Sequence, residues 1–472
     1  MMNMVRFKQV ICPFLLAGVI LPSGVQRLEA RNDPIDSCIA AQMAFRHIPG
    51  LALAVVKDGV PVKVKGYGIA NLELNVPVTT RTLFQSGSVG KQFTAMLVMW
   101  LVERKAIDLN TSIAEYFPNS PASWKKITVR HLLTHTSGIL NYTEEAGGID
   151  IQSDYTEDQL LEIAQRMPLE FQPGERWAYS NTGYVLLGIL VRKVTGVFYG
   201  DLLRRHVFDR ASMETARIIS DSAIIPNRCA GYRMREGEWR NQEWVSPALN
   251  STADGSMYVS IQDMVNWDEA LSAGKIISKT GYDTLWMPVR LNDGTVHPYG
   301  FGWYLERVNG HRSMRHGGSW QGFNAFIGRY PDDRLTVVVL ANLSPSNPEA
   351  IARAVAGLYV HDLAARVPAA IEDREPQFTA VVERLYAHTD TMKTPAALFA
   401  PEYRSEMPSV LRSNWKFLMT FGPVQSIEMV GYRAGDAEAT LTYRIRQKVG
   451  SSIVTLRRNA AGEILSAEEE ME

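Results

Sequence analysis

The rhythm of apolar and polar positions changes several times along this chain. Leu51 to Val56 is a continuous apolar run, Lys57-Asp58-Gly59 reads as a turn, and Val60 to Lys65 alternates. Apolar runs on either side of Asp-Gly predict a β-hairpin. From Val89 to Glu103 the period becomes helical, with Phe93, Met96, Leu97, Trp100 and Leu101 on one side. Helices are also predicted over Tyr155 to Met167, Gly183 to Val194 and Ser260 to Leu271. The last opens on a serine cap, with Asp263 three residues on. Strand-like runs return at Phe301 to Arg307, Ser313 to His316, Phe323 to Tyr330 and Leu335 to Ala341. Asn309-Gly310, Gly317-Gly318 and Pro331-Asp332-Asp333 separate them, which predicts an antiparallel meander. Ala350 to Leu363 reads as a closing helix.

Strands at both ends with helices between them fit one antiparallel sheet, covered by helices and carrying an inserted helical lobe. The expected class is α+β over residues 31–368. A charged stretch containing Pro376 then marks a break, and residues 369–472 are expected to form a small α+β domain. Its predicted parts are helices at Phe378 to Ala387 and near Val410 to Phe421, and strands at Ser426 to Tyr432, Glu438 to Arg446 and Ser452 to Arg458. The acidic end, Ala467 to Glu472, is expected to be a solvated tail.

The first thirty residues read differently. Arg6 and Lys8 precede an apolar run from Val10 to Leu21, broken by Pro22, Ser23 and Gly24, with Ala30 as a small residue for cleavage. The run is well short of the ~20 residues that span a bilayer, so residues 1–30 are expected to be a secretory signal, leaving no integral membrane segment once removed. Cys12 lies inside it; Cys38 and Cys229 remain, able to pair only if geometry allows. The net charge of -1 over 472 residues lacks the footprint of a nucleic-acid binder. Three cysteines exclude a disulfide framework or a zinc-finger array.

Three short motifs carry candidate chemistry. In Ser88-Val89-Gly90-Lys91, at the start of the apolar helix, the serine and lysine share a helix face, so the amine can reach the hydroxyl. In Tyr179-Ser180-Asn181, just before a helix, a phenol able to move protons stands two residues from an amide able to hold a carbonyl. The bland alternative there is a packing tyrosine followed by an N-cap asparagine. In His316-Gly317-Gly318-Ser319, on an edge-like strand, two glycines would let a ligand backbone approach, and the histidine could offer a hydrogen bond or positive charge to an anionic group. Each motif alone is weak.

Their joint order resembles the serine β-lactamase and penicillin-binding-protein superfamily, which carries S-x-x-K, then Y-x-N, then K-T-G or H-x-G. The class C-like branch is the nearest in kind, with its D-alanyl-D-alanine carboxypeptidases, D-stereospecific aminopeptidases and family VIII esterases. His131-Leu132-Leu133-Thr134-His135-Thr136-Ser137-Gly138 and the Gly255 to Trp267 segment are similar to family landmarks, and the resemblance covers about residues 40–365. Lys279-Thr280-Gly281 spells K-T-G but reads as the first turn of a short helix, so His316 is the preferred third motif. His131 and His135 stand four apart like zinc ligands, yet the glutamate of a metalloprotease helix is absent, and they read as packing or loop-bracing residues.

The resemblance implies acyl transfer through a serine ester. Ser88 would attack, and Lys91 or Tyr179 would accept its proton. The N–H groups of Ser88 and Ser319 would hold the oxyanion. Asn181, His316, Gly317, Gly318 and Ser319 would bind substrate. It implies no metal and no organic cofactor. The expected substrates are D-amino-acid peptides or amides, or small esters, with slow or no β-lactam turnover, in a protein expected to be secreted to a bacterial periplasm. The alternative is a penicillin-binding sensor or scaffold that acylates without turnover.

Overall fold

The computed structural model describes residues 33–143, 148–235, 238–364, 369–387, 398–401, 423–435, 437–447 and 451–471. The signal-like run and the helix expected near Val410 to Phe421 lie outside the described residues.

The chain opens with helix α1 (Pro34–Phe45), capped by the Asp33 carboxylate accepting from Ile35 N–H. Strands β1 (Gly50–Lys57), β2 (Val60–Asn71) and β3 (Val76–Pro77) follow. Helices α2 (Lys91–Glu103), α3 (Asn181–Thr195) and α4 (Ile261–Ser272) belong to the middle of the chain. Strands β4 (Tyr304–Val308), β5 (His311–Trp320), β6 (Phe323–Tyr330) and β7 (Leu335–Ala341) precede helix α5 (Pro348–Gly357). The seven strands form one sheet in the order β4-β5-β6-β7-β1-β2-β3, so its first and last strands in sequence meet at its centre. There β1 and β7 run antiparallel, with Leu51 opposite Ala341 and Lys57 opposite Leu335.

The period-2 geometry of a strand explains why β1 and β7 read as continuous apolar runs. Ala52, Ala54 and Val56 point into one hydrophobic cluster, shared with Phe93, Met96 and Trp267. Leu51, Leu53 and Val55 point into another, shared with Ile35, Ile39, Ile351 and Val355 of α1 and α5. Both faces are covered, so neither side of these strands needs polar residues. Each large side chain buried in this way contributes roughly 1.5–3 kcal/mol.

Helix α3 is apolar nearly all round because it is buried from Thr182 to Val191, and Gly196 ends it in the left-handed region at φ 73°. The capping box predicted for α4 is present, with Ser260 accepting from Asp263 N–H and the Asp263 carboxylate accepting from Ser260 N–H.

Three expectations are corrected. Gly317 and Gly318 do not separate strands; they lie inside β5, and the turn falls at Gln321-Gly322. β5 is not an edge strand, because β4 covers it. The acidic end is not a solvated tail throughout. After helix α6 (Pro376–Ala387), strands β8 (Val424–Ala434), β9 (Glu438–Gln447), β10 (Ser451–Asn459) and β11 (Ile464–Met471) form a second, four-stranded sheet. In it Ala467 pairs with Leu456 and Met471 with Ser452. The ladder recruits this segment, and alternation of Ile464 with polar neighbours was too brief to show it. Phe378 and Val382 of α6 pack with Leu441, Tyr443 and Ile445 of β9, giving this sheet its own core.

Cys38 and Cys229 are both free thiols. No helix among the described residues is long and apolar enough to cross a membrane.

Candidate active site

Ser88 sits in a single 3-10 turn, Gly87–Gly90, that runs straight into α2. The turn is pinned against β5 by two glycines. Gly87 has φ 48°, and a Cβ there would meet Ser319 N at 2.4 Å. A Cβ on Gly318 would meet the Ser86 carbonyl oxygen at 2.1 Å and Ser88 N at 2.8 Å. Only with both side chains absent can the Ser88 and Ser319 main chains lie this close. Gly317 faces the other way, its nearest obstacle being Ala325 O at 3.9 Å, so one glycine of the pair, not both, serves the close approach.

Lys91 is fully buried at the start of α2. Its Nζ lies 3.0 Å from Ser88 Oγ, 2.6 Å from Asn181 Oδ1 and 2.6 Å from the Asp254 carbonyl oxygen. Two of these partners can only accept. The Asn181 amide orientation is supported by its Nδ2, which donates to Thr143 Oγ1 at 3.2 Å. As an ammonium, Lys91 can donate to all three; in its neutral form it can give its two N–H groups to Asn181 and Asp254 and turn its lone pair to the Ser88 hydroxyl. Burial pushes Lys91 down to about 7, against a smaller upward pull from Asp254.

Asn181 is free to do this because it is not the helix cap. Ser180 is, accepting from Gly183 N–H, so the asparagine side chain turns to the cleft. The Tyr179 ring stands over the amine, with Lys91 Nζ 4.9 Å from its centroid. Among the described residues its buried hydroxyl has no partner at hydrogen-bond geometry. Burial pushes the phenol far above its ordinary range, and nearby Ser88 pulls it only partly back.

His316 does not match the charge expected of it. It is 2% exposed, and burial, then Lys91, push it down to about 3, so at neutral pH it offers no positive charge to an anion. Both ring nitrogens are engaged, Nε2 with Tyr299 Oη at 3.1 Å and Nδ1 with the Gly317 carbonyl at 2.6 Å. Ser319 Oγ lies 3.0 Å from Ser344 Oγ.

Ser88, Tyr179, His316, Gly317, Gly318 and Ser319 line one cleft of about 550 Å³. Across its wall Arg315 is held by Glu306 at 2.9 Å and Glu349 at 3.1 Å. A smaller cavity of about 190 Å³ opens on the other side of Ser88, lined by Thr143, Asn181, Asp254 and Trp320. Lys279-Thr280-Gly281 is far from this chemistry in kind: it starts the helix Lys279–Leu285, and the Lys279 side chain is 89% exposed and paired to Asp283. His131 braces a helix start, its Nδ1 accepting from Thr128 N–H. Sequence reasoning missed Asp254 and Tyr299. Asp254 acts through its main chain, which no side-chain pattern reveals, and Tyr299 lies in an irregular segment between strands.

The beta-lactamase family model matches residues 35–361, and the chain belongs to that family. It is 30% identical over 295 residues to penicillin-binding protein 4* of Bacillus subtilis, covering 58% of this chain and 64% of that protein. It is 30% identical over 318 residues to the D-aminopeptidase of Brucella anthropi, covering 64% of this chain and 59% of that one. The chain thus spans about three fifths of the length of these curated relatives. Among solved structures, the octameric penicillin-binding protein homologue from Pyrococcus abyssi superposes with a TM-score of 0.64 at 22% identity, over 93% of this chain and 95% of that one. The penicillin binding protein from Bacillus halodurans gives 0.59 at 26% identity, over 69% and 99%.

Proposed function

We propose that this protein is a serine hydrolase that cleaves amides and peptides of D-amino acids through a Ser88 acyl-enzyme, and accepts small esters. The observation that carries this reading is the buried Lys91 amine 3.0 Å from Ser88 Oγ, with a pKa that burial brings down to about 7. Ser88 Oγ attacks the substrate carbonyl carbon while Lys91 takes its proton. The oxyanion is held by the N–H groups of Ser88 and Ser319, on either side of the Gly87–Gly318 seam. The tetrahedral species collapses, the C–N bond breaks, and the departing amine takes a proton from Tyr179, which Lys91 then restores. Water, activated by the same pair, hydrolyses the ester. Tyr179 is assigned the acid role because its buried phenol stays protonated.

Similarity to proteins named D-aminopeptidase supports the substrate class. Cleft charge refines it. Arg315 is already matched by two carboxylates and His316 is neutral, so neither supplies a cation for a substrate carboxylate. That favours substrates with a free amino end over those read by a terminal carboxylate. The similarity to penicillin-binding protein 4* supports a second reading, a sensor acylated without turnover. The signal-like N-terminus supports secretion to a periplasm, checked by sequencing the N-terminus of the exported protein.

The test is a rate comparison of wild type and Ser88→Ala on D-alanyl p-nitroanilide, a D-alanyl-D-alanine peptide, p-nitrophenyl acetate and nitrocefin. Turnover of the anilide, lost in Ser88→Ala, is the expected result. Rapid nitrocefin turnover without anilide hydrolysis overturns the substrate reading. A stable Ser88 adduct without turnover, seen by mass spectrometry, supports the sensor.

A further inference from the structure

His135, read from sequence as a bracing residue, does more than fill space. It is 1% exposed and holds φ 58°, a left-handed conformation uncommon for a non-glycine residue. Its carbonyl accepts from Ala178 N–H at 3.0 Å, and its ring Nδ1 accepts from Ser180 N–H at 3.1 Å. The same ring lies against Tyr179, with centroids 4.3 Å apart and the planes tilted by 35°. One residue thus grips the second motif from both sides and from beneath. Its remaining nitrogen, Nε2, reaches Tyr299 Oη at 3.1 Å, and that oxygen reaches His316 Nε2 at 3.1 Å. His316 Nδ1 ends the run on the Gly317 carbonyl at 2.6 Å.

The directions of these bonds are forced. The Ser180 N–H can only donate, and the Gly317 carbonyl can only accept. With both rings neutral, His135 carries its proton on Nε2 and donates to Tyr299. Tyr299 donates to His316 Nε2, and His316 carries its proton on Nδ1. The two histidines are therefore opposite tautomers, each set by its own main-chain partner and linked through one phenol. Tyr184, the other hydroxyl beside Tyr299, donates to the Leu133 carbonyl at 2.9 Å. The chain runs without a break from the Tyr179-Ser180-Asn181 segment to the strand carrying Gly318 and Ser319.

We propose that His135 and Tyr299 are positioning residues that fix the distance between Tyr179 and the Ser319 strand through this single directional chain. Neither touches the reacting atoms. They hold the proton donor and one oxyanion N–H in register on opposite walls of the cleft. The kinetic consequence rests on the hydrolase chemistry above; the bond directions do not.

The test has a spectroscopic arm and a kinetic arm. Long-range ¹H–¹⁵N spectra of the labelled full chain at pH 7.5 should show His135 protonated at Nε2 and His316 at Nδ1. His135→Asn, which suits a left-handed backbone, and His316→Asn assign the signals. In Tyr299→Phe the His316 Nε2 signal should move to that of a ring nitrogen accepting no hydrogen bond while Nδ1 stays protonated against Gly317, and kcat on D-alanyl p-nitroanilide should fall about 10–100-fold. KM should stay within about twofold, since the lost effect is positional and not substrate binding. The double variant Tyr299→Phe/His135→Asn should be no slower than the worse single, because the two act as one unit. Equal tautomers in wild type overturn the proposal, as does an unchanged kcat in folded Tyr299→Phe or a multiplicative double loss. If Tyr299→Phe does not fold, the wild-type spectrum decides. If wild type shows opposite tautomers but no hydrolysis, the hydrolase reading fails and the shift of the His316 Nε2 signal in Tyr299→Phe decides the bond chain.

Discussion

Lys91 Nζ meets Asp254 at its main-chain oxygen, 2.6 Å away, while the Asp254 carboxylate accepts from Tyr142 Oη at 2.9 Å and Thr252 Oγ1 at 2.6 Å. The lysine's nearest countercharge is thus turned aside by two hydroxyls. It still favours the ammonium, opposing the burial that brings Lys91 to about 7. A base must be neutral to act, so the rate should rise as pH rises through about 7. Asp254→Asn removes the opposing pull, lowers the lysine further and moves this acidic limb to lower pH. A shift of up to about one unit is expected in the pH profile of kcat/KM. A limb that moves upward or stays fixed contradicts the assignment.

The two adjacent glycines of the third motif should respond oppositely to a methyl group. Gly318→Ala places a Cβ 2.1 Å from the Ser86 carbonyl oxygen and must part the strand from the Ser88 turn. Displacing one oxyanion donor should lower kcat by about 10²–10³-fold. Gly317→Ala meets nothing nearer than 3.9 Å and should leave kcat close to wild type. Steady-state kinetics on the two variants side by side checks this, and equal losses would contradict the geometry.

Ser180 and Asn181 divide capping and chemistry between them. Ser180→Ala loses the bond to Gly183 N–H but keeps its own N–H on His135, and should cost about 1 kcal/mol in urea unfolding. Asn181→Ala keeps the cap, loses the contact to Lys91, and should cost activity out of proportion to stability. The reverse pattern would make Asn181 the cap after all.

His316 should make the fold acid-sensitive. Its folded pKa is about 3 against an ordinary 6.5, so between these values the unfolded chain binds the extra proton. Stability therefore falls as pH drops from 6.5 toward 3, with a slope from this one group of about 1.4 kcal/mol per pH unit. His135, pushed well below 6.5 by burial, adds in the same direction. Urea unfolding at stepped pH should show a shallower acid slope in His316→Asn than in wild type. An identical slope would count against the buried neutral ring.

The legible parts of this protein were those where local pattern and tertiary demand coincide. Phe323 to Tyr330 and Leu335 to Ala341 match β6 and β7 at both ends, because each is bounded by a turn and buried on both faces. Ser88 and Lys91 could be paired from spacing alone, since three residues along a helical turn bring side chains together. What the sequence hid depends on partners distant along the chain. Gly317-Gly318 carries a turn signature locally, yet the ladder to Phe326 and Ala325 keeps it extended. The neutrality of His316 follows from burial beneath Tyr299 and beside Lys91, which no neighbour in sequence announces. Asn181 reads as well as Ser180 for a cap until the Gly183 contact decides between them.

The pairing of β1 with β7 also sets an order of events in folding. Leu51 cannot find Ala341 until every intervening residue has been synthesised, so the centre of this sheet cannot close before β7 has emerged. The hairpin of β1 with β2 can form early, and until β7 and α5 follow, the free edge of β1 stays unpaired and part of its apolar surface uncovered. Such a distant pairing makes for slow folding and a long exposure of sticky strand edge. The Ser88 turn is seated against β5, so the site is assembled only once that distant strand has docked, and a chain shortened before β5 would carry its serine and lysine without a cleft to hold them.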